Sequence, residues 1–282
     1  MDYRLAIDKT ILYSKYFSFP LTPKETHFWL ISDQVISFQK LKKYIPDITS
    51  KDAKYRQKLT KNSNKKELLS NKLVDILRLI PGILMVAITG SVAIKNAKPN
   101  DDIDLLIITK PNQLWISRPI FLLFLSLFFS RRHPGDNPNK IKQSSFCPNL
   151  WLDTSDLSVP KSRRNIYTAH EVLQIKPIYD RHGTYQKFLL ANSWSSKYLA
   201  NAYQKTKSKK TQNNTKKSLD SKLIAPINYI FYALQFIYMY PKKTSERVNL
   251  HSAYFHKIDF SKSIQNYLSN SEVYNQKATR NH

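Results

Sequence analysis

The sequence predicts an α/β fold: a small mixed β-sheet flanked by helices, with an N-terminal helical, winged-helix-like module before it and C-terminal helices after it. Two observations set this expectation. Residues 83–89 and 102–109 are runs of Ile, Leu and Val of strand length, each bounded by turn-forming residues. The stretches around them carry apolar residues at helical spacing, so strand and helix patterns alternate along the chain. The 282 residues, 41% hydrophobic and 12% aromatic, are enough to bury more than one core.

Taken in order, residues 5–17 have apolar side chains near helical spacing and predict a first helix. Thr22 then supplies an N-cap, Pro23 a first helical residue and Glu25 the third residue of a capping box, so a second helix is expected over 23–31. A third, over 33–44, would complete a tri-helical unit of the size seen in helix-turn-helix and winged-helix modules, or a helical appendage that packs on the next domain. Residues 51–70 are charged, and Leu73, Ile76, Leu77 and Ile80 form an apolar stripe that Pro81-Gly82 stops. After the two strands come a buried helix over 114–129, a polar loop over 131–143 and a third strand over 146–152. Helices are expected over 166–175 and 185–202, then a Lys-rich linker over 205–222. The helix over 223–240 is apolar on nearly all sides and must be buried or docked on a partner. The chain thus divides into a helical module (1–50), a connecting helix (51–80), a central α/β domain with following helices (81–204), the linker (205–222) and a C-terminal helical segment (223–282).

Charge and cysteine content bound the function. Lys and Arg number 45 against 20 Asp and Glu, a net charge of +25, which suits polyanionic partners such as nucleic acid. It equally suits a biased composition with lysines spread over solvated surfaces, because no stretch forms a dedicated basic reading helix. The single Cys147 excludes an intrachain disulfide and, with no apolar signal core at the N-terminus, points to a reducing, cytoplasmic setting. The most apolar run, 119–129, is too short to span a bilayer.

The chemistry is carried by one constellation. A strand ends in Gly90-Ser91, ten residues follow, and a second strand opens with Asp102-Ile103-Asp104-Leu105. Residues i and i+2 of a strand share a face, so the two carboxylates project together while Ile103 and Leu105 enter the core. Paired carboxylates in an apolar strand repel unless a cation lies between them, and Mg²⁺ is held by one or two carboxylates with phosphates and water. Glycine permits close backbone approach to a ligand, and Ser91 adds a hydroxyl, so Gly90-Ser91 can cradle phosphates.

This pattern resembles the signature of the DNA polymerase β-like nucleotidyltransferase superfamily, in a minimal bacterial form, over about residues 84–108. Residues 145–152 and Thr168-Ala169-His170-Glu171 are more loosely similar to bacterial nucleotidyltransferase-domain proteins. The resemblance implies Mg²⁺-dependent transfer of a nucleoside monophosphate from an NTP, ATP among them, to a hydroxyl, with release of pyrophosphate. Gly90 and Ser91 would contact the phosphates, and Asp102 and Asp104 would ligate the metal. The family adds a third carboxylate from a later strand; Asp153 is the candidate and Asp156 the alternate, or either is a turn residue. Asp101 reads as an exposed turn residue, His170 and Glu171 as structural or surface residues, and Arg131, Arg132, Arg163 and Arg164 as phosphate contacts or solvated helix ends. The acceptor is open between an RNA end, a protein hydroxyl and a small aminoglycoside-like molecule. A non-catalytic nucleotide-sensing or nucleic-acid-binding regulator is the alternative, and an interaction protein docking through 223–240 a third reading.

Overall fold

In the computed structural model, residues 2–132, 144–207, 221–242, 246–255 and 260–280 are described. The chain begins with α1 (Tyr3–Tyr16), α2 (Pro23–Phe28), α3 (Phe38–Leu41), α4 (Ser50–Asn71) and α5 (Leu73–Leu77). The Thr22 capping box forms: Glu25 N–H donates to the Thr22 hydroxyl, and the Glu25 carboxylate accepts from Thr22 N–H at 2.9 Å. Arg56 of α4 pairs with that carboxylate, so the cap also ties α4 to the N-terminal helices. Ala6, Ile7, Leu30, Ile36, Leu41 and Ile45 make a small separate core here. A winged-helix arrangement is not shown: the expected third helix over 33–44 shortens to the four residues of α3.

The sheet follows as β1 (Ile83–Ile88), α6 (Gly90–Ala93), β2 (Ile103–Thr109), α7 (Leu114–Phe128), β3 (Phe146–Asp153), α8 (Ile166–Leu173), β4 (Lys176–Asp180), α9 (Thr184–Ala191), α10 (Ala200–Lys207), α11 (Ser221–Met239), β5 (Arg247–Val248), β6 (Ser252–Tyr254) and α12 (Ser261–Arg280). Strand order is β4-β1-β2-β3-β6-β5. Among the described residues β2 and β3 pair in parallel and the other neighbouring strands pair antiparallel, so the sheet is mixed, as expected.

Alternation assigns the two faces. Val86, Ile88, Ile103, Leu105 and Ile107 pack toward Leu77 of α5 and Trp115, Phe121 and Leu125 of α7. Met85, Ala87, Leu106 and Ile108 pack toward Tyr13 of α1, Ala169 and Leu173 of α8 and Phe188 and Leu189 of α9. Burial on both faces explains why these strands read as continuous apolar runs.

Three expectations change. The helix expected over 185–202 is broken into α9, a 3-10 turn at Ser193–Lys197 and α10, where Asn192 caps the break by accepting from Trp194 and Val159. The expected C-terminal helical segment, 223–282, also supplies β5 and β6, which extend the sheet beyond β3. The helix expected to be buried over 114–129 is buried on one side only, with Leu123, Leu127 and Phe128 exposed. Residues 133–143 of the expected loop and 208–220 of the expected linker lie outside the described residues.

The central strand should be the most sensitive to truncation. Ile107→Ala, at a fully buried position, is expected to cost about 2–5 kcal/mol in urea denaturation, against less than about 0.5 kcal/mol for the exposed Leu123→Ala.

Candidate active site

The face of β2 that carries Leu106 and Ile108 also carries Asp104, and at the start of this strand the sheet opens into a cavity of about 540 Å³. Thr89, Gly90, Ser91, Asp101, Asp102 and Asp104 line one side of it, and Tyr13, Phe17, Trp29, Tyr167, His170 and Glu171 the other. Gly90 and Ser91 of α6, Asp102 just before β2 and Asp104 within it, all named from the sequence pattern, therefore come together.

Gly90 has φ +59°, in the left-handed region, and a Cβ there would stand 2.7 Å from Asp104 Oδ2. Glycine is thus required twice, by its backbone angle and by the carboxylate beside it. Thr89 N–H donates to the Asp104 carbonyl at 2.9 Å, which fixes the strand end against the acid pair. Ser91 Oγ donates to Asp101 Oδ2 at 3.0 Å, and the same oxygen accepts from Lys98 N–H at 2.9 Å. Asp101, read from the sequence as an exposed turn residue, is therefore a partly buried residue that anchors Ser91.

The loop before β2 is held from α4. Lys66 is buried, and its ammonium donates to the carbonyls of Pro99 at 3.0 Å and Asp101 at 2.5 Å. Its pKa is lowered by burial, against which the charges of Asp101 and Asp102 act.

Asp102 Oδ2 accepts from Arg132 Nη1 at 2.6 Å, while its Oδ1 is buried without a hydrogen-bond partner. Asp104 Oδ1 accepts from Asn149 Nδ2 at 2.6 Å. Burial first, and the charge of Asp102 second, push the Asp104 carboxyl up to about 7. Burial and the charge of Asp104 push Glu171 up to about 7 as well, and Gln174 Nε2 donates to its Oε1 at 2.5 Å. His170 stacks on Tyr13 at 3.9 Å and on Trp29 at 5.3 Å. Its Nδ1–H donates to the Ile166 carbonyl at 2.9 Å, and burial lowers its pKa to about 4, so it is neutral.

The structure places Asp153 elsewhere. It pairs in register with Thr109, five positions from Asp104, roughly 16 Å along the strand at about 3.3 Å per residue. It also alternates onto the face of Trp151, which packs against Phe121 of α7 on the other side of the sheet. There its carboxylate accepts from Asn112 N–H, Ser155 N–H and His251 Nδ1, joining the end of β3 to the turn before β6. Asp156 accepts from Ser252 Oγ at the same end. A register shift between Asp104 and Leu106 instead brings Asn149 of β3 to Asp104. Besides Asp101, which anchors Ser91, the carboxylate that lines the cavity with the acid pair is Glu171, 67 residues beyond Asp104 and on a helix, where strand spacing gives no signal for it.

The donor set can be tested for a divalent cation. Among the described residues no group of three or more His, Cys, Asp or Glu side chains is placed to hold a metal. A buried carboxylate oxygen without a partner, beside a second carboxylate, nevertheless fits Mg²⁺, which takes few protein ligands and completes its shell with phosphates and water.

Residues 70–129 match the family model of the nucleotidyltransferase domain, and so bear out the resemblance to the polymerase β-like superfamily over that part of the chain. The match contains β1, the Gly90-Ser91 turn, Asp102 and Asp104. No curated protein and no solved structure matches the chain.

Two outcomes follow from this geometry. Gly90→Ala should lower the thermal midpoint and disorder the cavity, since the added methyl meets Asp104 and the backbone angle is strained. Asp104→Asn should raise the midpoint at pH 8 in EDTA. The folded-state carboxyl titrates near 7, above its ordinary 3.8, so its ionised form destabilises fully above about pH 7. That effect disappears as pH falls from 7 toward 4, and the variant's gain should fade over the same window; a gain that does not change with pH would refute the raised pKa that burial and Asp102 give this carboxyl.

Proposed function

We propose that the protein is a Mg²⁺-dependent nucleotidyltransferase that moves a nucleoside monophosphate from an NTP to a hydroxyl acceptor. The observation that carries this reading is the Asp102–Asp104 pair beside Gly90-Ser91 in one cavity, within the segment matching the nucleotidyltransferase domain. In this reading the acceptor hydroxyl oxygen bonds to the α-phosphorus, the bond from that phosphorus to the bridging oxygen breaks, and pyrophosphate leaves.

Asp102 and Asp104 would hold the cation, with Asp102 Oδ1 and the Asp104 carboxylate as donors. Bound there, Mg²⁺ would neutralise charge on the phosphates and polarise them. The positive backbone angle of Gly90 keeps the strand end free of a side chain where phosphates would lie. Arg132, the cationic side chain among the described residues lining the cavity, offsets Asp102 and is in reach of an incoming polyphosphate. Glu171 takes the role first sought at Asp153: its pKa near 7 suits a base that accepts the acceptor's proton. The aromatic residues on the cavity wall place apolar surface beside the fixed charges, which act more strongly where solvent is reduced. The acceptor class is left to the assay.

A second reading, a nucleotide-sensing regulator on the same fold, is favoured by Asn149, whose neutral amide, not a third carboxylate, contacts Asp104 from β3. The readings separate by incubating the protein with Mg²⁺, α-³²P-labelled NTPs, total RNA and cell extract. The transferase reading predicts label moved by the wild type and not by Asp104→Asn, with the labelled fraction giving the acceptor class. Mg²⁺-dependent nucleotide binding without transfer would favour the sensor. Glu171→Gln should cut turnover by about 10²–10⁴-fold with nucleotide binding kept, whereas Asp153→Asn should leave turnover per folded molecule unchanged.

A further inference from the structure

Helix α11 is held to α7 along one side. Asn228 Oδ1 accepts from Trp115 N–H at 2.9 Å, Gln235 accepts from Arg118 Nη1 at 2.7 Å and donates to the Trp115 carbonyl at 2.8 Å, and Tyr232 packs on the Trp115 ring. The polar residues of this helix are therefore turned inward, the reverse of an ordinary surface helix. Its outer side presents Ile230, Leu234 and Ile237, exposed by 56%, 61% and 69%, and α7 adds Leu123, Leu127 and Phe128. Residues 223–241 contain no charged side chain, in a chain that is 23% charged.

An outward apolar face of this extent marks a contact surface, and the sequence around it specifies the partner. In the sequence, residues 208–222, which lead into the apolar part of α11, contain five lysines and one aspartate, and Lys242 and Lys243 follow residue 241. A second copy of this chain would also carry a net charge of +25, so pairing the face with one sets like charge against like. A surface that is apolar beneath and anionic at its boundary answers both features at once. Tyr229 and Tyr240, exposed at 60% and 66%, are of the amphipathic type that sits at headgroup depth. No helix among the described residues is long and apolar enough to cross a membrane, so the geometry is that of a helix lying in the interface.

We propose that α11, with the exposed end of α7, docks the protein on a bilayer containing acidic phospholipids. The proposal stands apart from the reaction assigned to the cavity. It is tested by co-sedimenting the full chain with phosphatidylcholine vesicles, with or without phosphatidylglycerol, alongside the variant Leu234→Glu/Ile237→Glu. Both changes lie on the exposed side of α11, and circular dichroism and thermal midpoint check the variant's fold. Binding at least about tenfold tighter to the acidic vesicles, weakened by salt and lost in the folded variant, is the expected result. Absent vesicle binding, or equal binding by the variant, overturns it. So does a dimer, seen by light scattering, that the variant converts to monomer, because the face would then belong to a second copy.

Discussion

Asp102 and Asp104 stand two residues apart at the head of a buried strand, and the repulsion between them is the constraint around which their neighbours are arranged. Each contact nearby answers it in part. Arg132 balances Asp102, Asn149 donates to Asp104, and Lys66 brings a cation beneath the loop that delivers both. Gly90 is bare because Asp104 fills the space where its side chain would be. These contacts leave Asp104 with a raised pKa and Asp102 with a buried oxygen unpaired, so the protein alone does not satisfy the pair. An unsatisfied acid pair is costly for folding and useful for binding a cation, and perturbed groups of this kind gather at functional sites.

The surroundings of the pair explain why its charge is felt so strongly. Helices α1 and α8 lay Tyr13, Tyr167 and a neutral His170 across the cavity from it, and Phe260, just before α12, closes against Phe17 and Tyr167. This apolar wall lowers the local dielectric, which strengthens every interaction among the ionised groups it encloses. The N-terminal helices therefore contribute to the cavity. The aromatic ladder Tyr13–His170–Trp29 ties α1 and the end of α2 to α8.

Much of the central fold was legible in the sequence because it is local. The strands at Ile83–Ile88 and Ile103–Thr109 are short β-branched runs, and the Thr22 capping box is a four-residue pattern. The convergence of Gly90-Ser91 with Asp102 and Asp104 was legible because neighbouring strands place it. What was missed depends on register and on distant contacts. Asp153 was the expected third carboxylate because it ends the next strand, but parallel pairing carries it to the other end of β2, and a register shift puts Asn149 beside Asp104. Nothing near Glu171 in the sequence shows that α8 packs on the sheet face bearing Asp104, so its place on the cavity wall rests on a distant contact. Strands β5 and β6 are two and three residues long, below what periodicity can detect.

The central claim is that the acid pair holds a divalent cation together with a nucleotide. It is tested most directly by a crystal structure grown with Mn²⁺ and a non-hydrolysable NTP analogue, read by anomalous scattering. The account predicts a manganese peak within coordinating distance of Asp102 and Asp104, with analogue phosphates beside Gly90-Ser91. Analogue bound elsewhere, or bound in the cavity with no metal at the two carboxylates, would contradict it.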